Sequence, residues 1–573
     1  ALVPGRQRVC EQFRVDAPEL WHPAGLGPQI LHDLVVTLDG ETVTRRIGLR
    51  RIELLTDADA TGARFAFRVN GRELFCRGAN WIPADALPSR ATPALTRRLL
   101  TAAVEANMNM IRVWGGGFYE QDWFYDLCDE LGLLVWQDFM FSCNLYPADP
   151  DFLAAVRREA DHQVRRIGHH ACLALWCGDN ELIGALTWFP ESRANRDRYL
   201  VAYDRLNRTL EEALRNADAT ALWWPSSPSP GPMSFGNAWH DDSAGDMHFW
   251  SVWHEGRDFE HYRDVRPRFC SEFGFQSFPS MPAIRRFAGE ADLNIASPVM
   301  ESHQKNAGGN ARIAETMARY FRFPEGFGNF VYLSQIQQGV AIRTAVDWFR
   351  SLKPHCMGAL YWQLNDTWPC ASWSGLDHGG GWKALHYMAR RFFAPVNVMI
   401  IADATTARLV AVNDTARPVD VTATARRAGM DGAVDGLATF SAIVPPDRAV
   451  TLGELPASAF EDAVLVADFL SETGASGRAV HPAKRWKRFD LPDPGLRMES
   501  DAAGTGLLVT VARPAFFVTL EAAVPGRFSD NVLDLLPGEI LRIGFAPDEA
   551  VPFSPGAAGF VWRDLFSSHQ RSA

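Results

Sequence analysis

The chain has 573 residues, 47% hydrophobic and 22% charged, with a net charge of −11 at pH 7. That charge is modest for the size and argues against a surface that tracks nucleic-acid phosphates, and no long uncharged apolar run predicts a membrane span. Nine cysteines scattered singly predict neither a disulfide framework nor a zinc site, and most read as small core hydrophobes.

Length alone suggests about four domains at roughly 150 residues each. Residues 1–60 alternate short apolar runs with turns, and the Asp-Gly of "LDGE" predicts a hairpin inside a small immunoglobulin-like β-sandwich. Ala1 is not a start methionine, no charged-then-apolar leader follows it, and the first residues read as strands already under way. We therefore expect the carboxy-terminal portion of a longer chain. The unpatterned cysteines lean towards a reducing compartment, with cytoplasm and periplasm both open, and the oligomeric state is not legible.

From 61 to 394 the texture changes. Eight short apolar runs predict strands: "RELFCRGAN", "NMIRVWGGG", "LLVWQDF", "CLALWCGDNE", "ALWWPSS", "GDMHFW", "PRFCSEFG" and "MGALYWQLND". Helical patterns such as "PALTRRLLTAAVEAN" and "QIQQGVAIRTAVDWFRSL" stand between them. This alternation predicts an α/β fold built on a (β/α)8 TIM barrel; a doubly wound sheet fits less well, because no glycine-rich phosphate turn follows the first strand. Residues 395–492 and 493–573 return to period-2 segments broken by turns, predicting two further immunoglobulin-like β-sandwiches that meet near "DLPDPG".

Catalytic groups of such barrels stand at the carboxy-terminal ends of the strands. The fourth run delivers Asp179, Asn180 and Glu181, and the seventh delivers Glu272. Strands four and seven face each other across a barrel mouth, so two carboxyls flank one pocket. Glycosidic bond cleavage needs that pair, one carboxyl holding a proton for the leaving oxygen and the other ionised to attack the anomeric carbon. Like charges about 5 Å apart raise one of the two pKa values, which keeps the acid protonated near neutrality. Alone, either glutamate reads equally as a solvated or salt-bridged strand end.

The 19 tryptophans supply flat apolar faces with one donor each, suited to sugar rings. Trp114 and Trp362 read either as pocket walls or as core. Asp138 and Asp366 end strands and either face the pocket or brace loop backbone. His248 closes the sixth run and either reaches the pocket or packs beneath it, and Arg112 is expected to brace the carboxylates.

Four blocks carry a resemblance: "MIRVWGGGFYEQDWFYDLCDELGLLVWQDFMFSC", "ALWCGDNEL", "RFCSEFGFQSFPS" and "LYWQLNDTWPCASWSGLDHGGGWKALHY" resemble the β-mannosidases of glycoside hydrolase family 2. The resemblance implies a retaining exo-β-mannosidase, without metal or organic cofactor, acting on terminal non-reducing β-mannose of β-mannosides and manno-oligosaccharides. It implies Glu181 as acid/base, Glu272 as nucleophile and Asn180 as the partner of the sugar 2-OH. Trp114 and Trp362 would line the terminal-sugar subsite and Trp188 the leaving-group side, with Asp138 and His248 as further substrate-binding candidates. The chain departs from the family pattern at Asp179, where Asn is common, and at the glycines of "GLDHGGGW". The resemblance also implies a sugar-binding-like sandwich at the start of family members, which we expect in the part of the longer chain ahead of Ala1. An exo-β-glucosaminidase or an endo-acting mannosidase uses the same frame, and a non-catalytic carbohydrate-binding protein would keep the aromatics but lose a carboxylate.

Overall fold

The computed structural model describes residues 11–236, 239–501, 506–522, 524, 526–548 and 560–570. Its centre is a sheet of eight parallel strands: β1 (Cys76–Trp81), β2 (Met110–Val113), β3 (Leu134–Asp138), β4 (Leu173–Cys177), β5 (Trp223–Trp224), β6 (Met247–Phe249), β7 (Cys270–Phe273) and β8 (Gly358–Tyr361). The spatial order is β5-β4-β3-β2-β1-β8-β7-β6, the cyclic order of a (β/α)8 barrel. Every residue of these strands is buried, as expected of parallel strands covered on both faces. At Gly78 of β1 a side chain would meet the Met110 carbonyl of β2 at 1.8 Å, so only glycine lets the two backbones approach.

The ladder is open between β5 and β6, where side chains take over. Asp246, just before β6, accepts from Trp224 Nε1 (2.9 Å) and from the Ser229 backbone N–H (3.0 Å). This seam lies beside the site described below.

Helices α1 (Pro93–Glu105), α2 (Asp122–Leu131), α3 (Pro150–Ile167), α4 (Arg196–Ala217), α5 (Phe327–Ser351) and α6 (Ala384–Phe392) cover the barrel. Their boundaries follow local chemistry. Thr92 and Asp149 cap α1 and α3 by accepting from Leu95 N and Phe152 N, each with proline at the first helical position. Gly132, at φ 75°, ends α2 in the left-handed conformation that glycine adopts without strain. Among the described residues no helix is long and apolar enough to cross a membrane.

Two expected strands come out differently. "RELFCRGAN" is two elements: Arg72–Leu74 pairs antiparallel with Ala66–Val69 in a small sheet that also holds Ile52–Leu55, and only Cys76 onward joins the barrel. The turn responsible is Asn70-Gly71, with φ of 50° and 83°, a hairpin signal that the sequence reading passed over. β5 is only Trp223–Trp224, because Pro225 follows and has no N–H for a ladder. Over residues 11–60 the described structure holds the hairpin His32–Leu38/Glu41–Ile47, turned at Asp39-Gly40, and short strands leading to the small sheet.

Beyond the barrel, the sheet Val396–Ala402, Thr406–Asn413, Arg448–Pro456 faces the sheet Val419–Ala428, Val434–Val444, Val464–Ser471, Ser476–Pro482. The two share a core that includes Val398, Leu409, Val421 and Leu465. After residue 496 the described strands again form two antiparallel sheets, one holding Gly506–Thr510 and Ile540–Pro547, the other Ala515–Ala522.

Candidate active site

The mouth of the barrel is organised around one guanidinium. Arg112 of β2 has no solvent exposure and donates to four side chains. Nη1 reaches Glu272 Oε1 at 2.5 Å and Asn80 Oδ1 at 2.9 Å; Nη2 reaches Asp138 Oδ2 at 2.8 Å and Asn180 Oδ1 at 2.7 Å. Strands β1, β2, β3, β4 and β7 thus converge on it through their carboxy-terminal ends.

Glu272 sits on β7 with Oε2 accepting from Trp250 Nε1 at 3.3 Å. Glu181 follows β4, and its backbone is left-handed at φ 63°, an uncommon state for a residue with a side chain. Flanking hydrogen bonds hold that turn: Glu181 N to Ser227 O (2.8 Å), Asn180 N to Phe141 O (2.9 Å) and Cys143 N to Asn180 O (3.0 Å). Glu181 Oε1 lies 2.6 Å from His248 Nδ1, and Oε2 accepts from the Cys143 thiol at 3.3 Å. His248 Nδ1 is also 3.5 Å from Glu272 Oε2, and one ligand atom of each of the three residues falls within 4.8 Å of the others.

Burial raises the pKa of both glutamates, and the two are distinguished by what touches them. Glu272 is in contact with Arg112, whose charge opposes the rise. Glu181 has no cation in contact among the described residues, and burial, followed by the neighbouring Glu272 charge, pushes it well above the ordinary range. These directions favour Glu181 over Glu272 as the holder of a proton. Burial, followed by the Arg112 charge, drives His248 well below its usual value and keeps the imidazole neutral. Asp138 is raised by burial to about 6, with Arg112 and the donors Gly115 N (3.0 Å) and Trp136 Nε1 (3.0 Å) opposing, so it is ionised at neutrality.

The remaining candidates separate cleanly. Arg112 fixes Asn180 Oδ1, so the amide turns its Nδ2 towards Ser142 Oγ (3.3 Å) and Cys143 Sγ (3.2 Å). Trp114 and Trp362 are part-buried and meet edge to face with centroids 5.1 Å apart, beside the Asp138 loop and β7 respectively. Trp188 is 43% exposed and stacks on Trp239 at 5.6 Å, and Trp239 in turn lies 6.3 Å from His248. Asp366 accepts from Ser372, Ser374 and Gln363 and so braces the loop after β8. Asp179 likewise anchors a loop, accepting from Leu182 N (3.1 Å) and Ser226 Oγ (2.6 Å), and makes no hydrogen bond with Glu181.

Sequence reasoning did not find Asn80, Cys143, Ser227, Trp239, Asp246 or Trp250. Asn80 and Trp250 carried a usable signal, since both lie at the carboxy-terminal ends of barrel strands. Ser227 and Asp246 sit in loops at the β5–β6 seam, and their importance depends on partners across it. Glu181, His248 and Glu272 have a spacing that would suit a metal, but Arg112 already occupies Glu272 Oε1. A second such group, Asp129, His170 and Cys172, is satisfied internally by His170 Nδ1 and Cys172 N, each 2.7 Å from Asp129.

A (β/α)8 barrel that holds two buried carboxyls on facing strands, one clamped by arginine and the other raised in pKa beside it, has the form of a glycoside hydrolase. Comparison with known proteins agrees. Residues 491–562 match a family model for the Ig-fold domain of mannosidases. The chain is 33% identical to β-mannosidase B of Thermothelomyces thermophilus over 602 residues, covering 93% of this chain and 68% of that protein. It is 38% identical to the β-mannosidase of Capra hircus over 406 residues, 66% of this chain and 46% of that protein. Among solved structures it resembles the β-D-mannosidase of Dictyoglomus thermophilum, with 32% identity and a TM-score of 0.86 over 96% of this chain and 68% of the other. The chain belongs to the β-mannosidase family. It spans about half the length of its goat and cattle relatives, 46% and 48%.

Proposed function

We propose that the protein is an exo-β-mannosidase that removes terminal non-reducing β-linked mannose with retention of configuration. The observation that carries this reading is the Glu181–His248–Glu272 cluster, whose reactive atoms lie within 4.8 Å of one another. That spacing is shorter than the separation that seats both a sugar and an attacking water between the two carboxyls. It matches the roughly 5–5.5 Å of retaining enzymes and not the roughly 6.5–9.5 Å of inverting ones.

In the first step an ionised Glu272 oxygen bonds to the anomeric carbon while the bond to the leaving oxygen breaks. Glu181 gives that oxygen its proton. Arg112 orients Glu272 and holds it ionised until attack. Once the glycosyl-enzyme forms, the charge on Glu272 is gone, the repulsion that raised the pKa of Glu181 is relieved, and Glu181 becomes a base. It takes a proton from the water that attacks the anomeric carbon, and Glu272 leaves as carboxylate. Asn180, oriented by Arg112, is the donor for the sugar 2-OH, a bond that strengthens as positive charge develops on the ring. Asp138 acts through Arg112. Trp114 and Trp362 form the corner on which the terminal sugar rests.

A panel of aryl β-glycosides that differ only in the sugar tests the reading. Hydrolysis of the manno-configured member, with the β-anomer as first product by NMR, is the expected result. A preference for the glucosamine-configured member would transfer the chain to that specificity, and an α-anomer as first product would overturn retention.

A further inference from the structure

Asp246, at the seam between β5 and β6, is fully enclosed and accepts four hydrogen bonds. Trp224 Nε1 and the Ser229 N–H bind Oδ1; the hydroxyls of Ser227 and Ser271, each 2.6 Å away, bind Oδ2. Burial raises its pKa, and these donors oppose the rise. Trp224 Nε1 and Ser229 N can only donate, so Oδ1 carries no proton, and with both hydroxyls donating to Oδ2 Asp246 is a carboxylate.

This assignment propagates outward. Ser227 has a single hydroxyl proton, and the short contact to Asp246 claims it. Ser227 Oγ is also 3.0 Å from His248 Nε2, and with its proton committed it can only accept there. His248 therefore carries its proton on Nε2. The imidazole is neutral, so Nδ1 presents a bare lone pair to Glu181 Oε1 at 2.6 Å. A lone pair facing a carboxylate at that distance is repulsive, whereas a lone pair facing a carboxylic acid is a strong hydrogen bond.

We propose that Asp246 and Ser227 are positioning residues that fix the tautomer of His248, so that His248 Nδ1 accepts the proton of Glu181 and favours the acid form between turnovers. The proposal rests on Glu181 being the acid/base. It gives the second half-reaction a direction. In the glycosyl-enzyme an ionised Glu181 faces the Nδ1 lone pair, and that state is relieved when Glu181 takes the proton of the attacking water. No proton need leave the Asp246–Ser227–His248 chain during the cycle. The other groups facing Glu181 are Glu272 from β7, the Cys143 thiol from the loop after β3, and Arg112 of β2 through its charge. Those facing His248 are Glu272, Arg112 and the Trp239 ring.

Ser227→Ala is the deciding variant, because it removes the bridge without changing charge. The Nε2–H then loses its acceptor, the proton moves to Nδ1, and Nδ1–H donates to an ionised Glu181. Glu181 becomes a stronger acid, so the basic limb of kcat/KM moves to lower pH, by about one unit. Substrates with poor leaving groups slow at least tenfold at pH 7, while activated aryl mannosides below that limb change only a few fold. Ser227→Thr, which keeps the hydroxyl, restores the native limb. Asp246→Asn moves the limb the same way and further, since it also removes a negative charge. An unmoved basic limb in a folded Ser227→Ala protein overturns the proposal. A second measurement reads the native protein: 15N NMR with labelled histidine, His248 being assigned by loss of its signals in His248→Asn. An Nε2–H tautomer is expected, and an Nδ1–H tautomer overturns the proposal. Failure of the acid/base assignment is distinguishable, because it would appear as undiminished turnover in Glu181→Ala.

Discussion

The two ends of the barrel each bury a cluster of charge, and they are built to opposite balances. At the mouth one cation, Arg112, serves two carboxylates, Asp138 and Glu272, with Glu181 close by. At the base one carboxylate, Asp414, is held by three cations: Arg77 (3.1 Å), Arg350 (2.8 Å) and Lys353. Arg77 lies near the start of β1 and Asn80 near its finish, so a single strand reaches both clusters. Surplus cation drives the pKa of Asp414 well below the usual carboxylate range despite burial, and no proton can move there. Surplus carboxylate at the mouth leaves one proton without a fixed owner except through its surroundings. Burial alone does not make a site reactive; the sign of the imbalance does.

Substitutions at the mouth should therefore act on turnover and those at the base on folding. The largest effect is expected from Glu272→Ala, with turnover falling by roughly 10⁵-fold or more, because no group remains to form the glycosyl-enzyme. Glu181→Ala should lose roughly 10²–10⁴-fold on substrates with poor leaving groups. It should still be glycosylated by activated aryl mannosides, and added azide, which needs no general base, should release a β-glycosyl azide. Product analysis of both variants with azide checks the roles, and rescue of the Glu272 variant to the β-azide instead would reverse them.

At the base, Asp414→Ala leaves three buried cations without their anion and should cost about 3–5 kcal/mol in urea unfolding. The pH dependence has a definite sign. The folded pKa lies below that of the unfolded chain, so the stabilisation by Asp414 is complete above about pH 4 and is lost as pH falls further towards the folded value. The variant should accordingly show a flatter stability profile below pH 4 than the native protein, with kcat per folded molecule little changed. Loss of kcat in folded Asp414→Ala would mean that the two ends are coupled and would break the contrast.

What could be read in the sequence divides along the same physical line. The polar tails of "CLALWCGDNE" and "PRFCSEFG" are legible as a pair: one buried strand ending on a carboxylate reads as a salt bridge, whereas two on facing strands point to a shared pocket. Helix limits at Pro93, Pro150 and Gly132 are written in local chemistry. The roles proposed for Glu181 and Glu272, by contrast, rest on the resemblance of the blocks, since spacing offers two carboxyls but does not say which holds the proton. Ser227, Asp246 and Trp239 were invisible because their meaning is a contact across the β5–β6 seam, formed by loops without periodicity. The split of "RELFCRGAN" was missed because Phe75 continues the apolar run while the backbone passes from one sheet to the next.

The smallest effect is expected at Trp188, and it tests how far the mouth extends. Trp188 shares no hydrogen bond with the charged cluster. Among the described residues it is linked to the cluster through its stack on Trp239, which sits over Gly184, where a side chain would meet its ring at 2.1 Å. A half-exposed indole in that place offers a face to a second sugar, worth about 1 kcal/mol or roughly fivefold in affinity. Trp188→Ala should thus raise KM several fold for manno-oligosaccharides and leave kcat unchanged. Aryl mannosides without a second sugar should be nearly indifferent. If kcat fell instead, with KM unmoved and the aryl substrates equally affected, Trp188 would be acting through Trp239 on His248. Its effect would then belong to the balance of protons rather than to the binding of sugar.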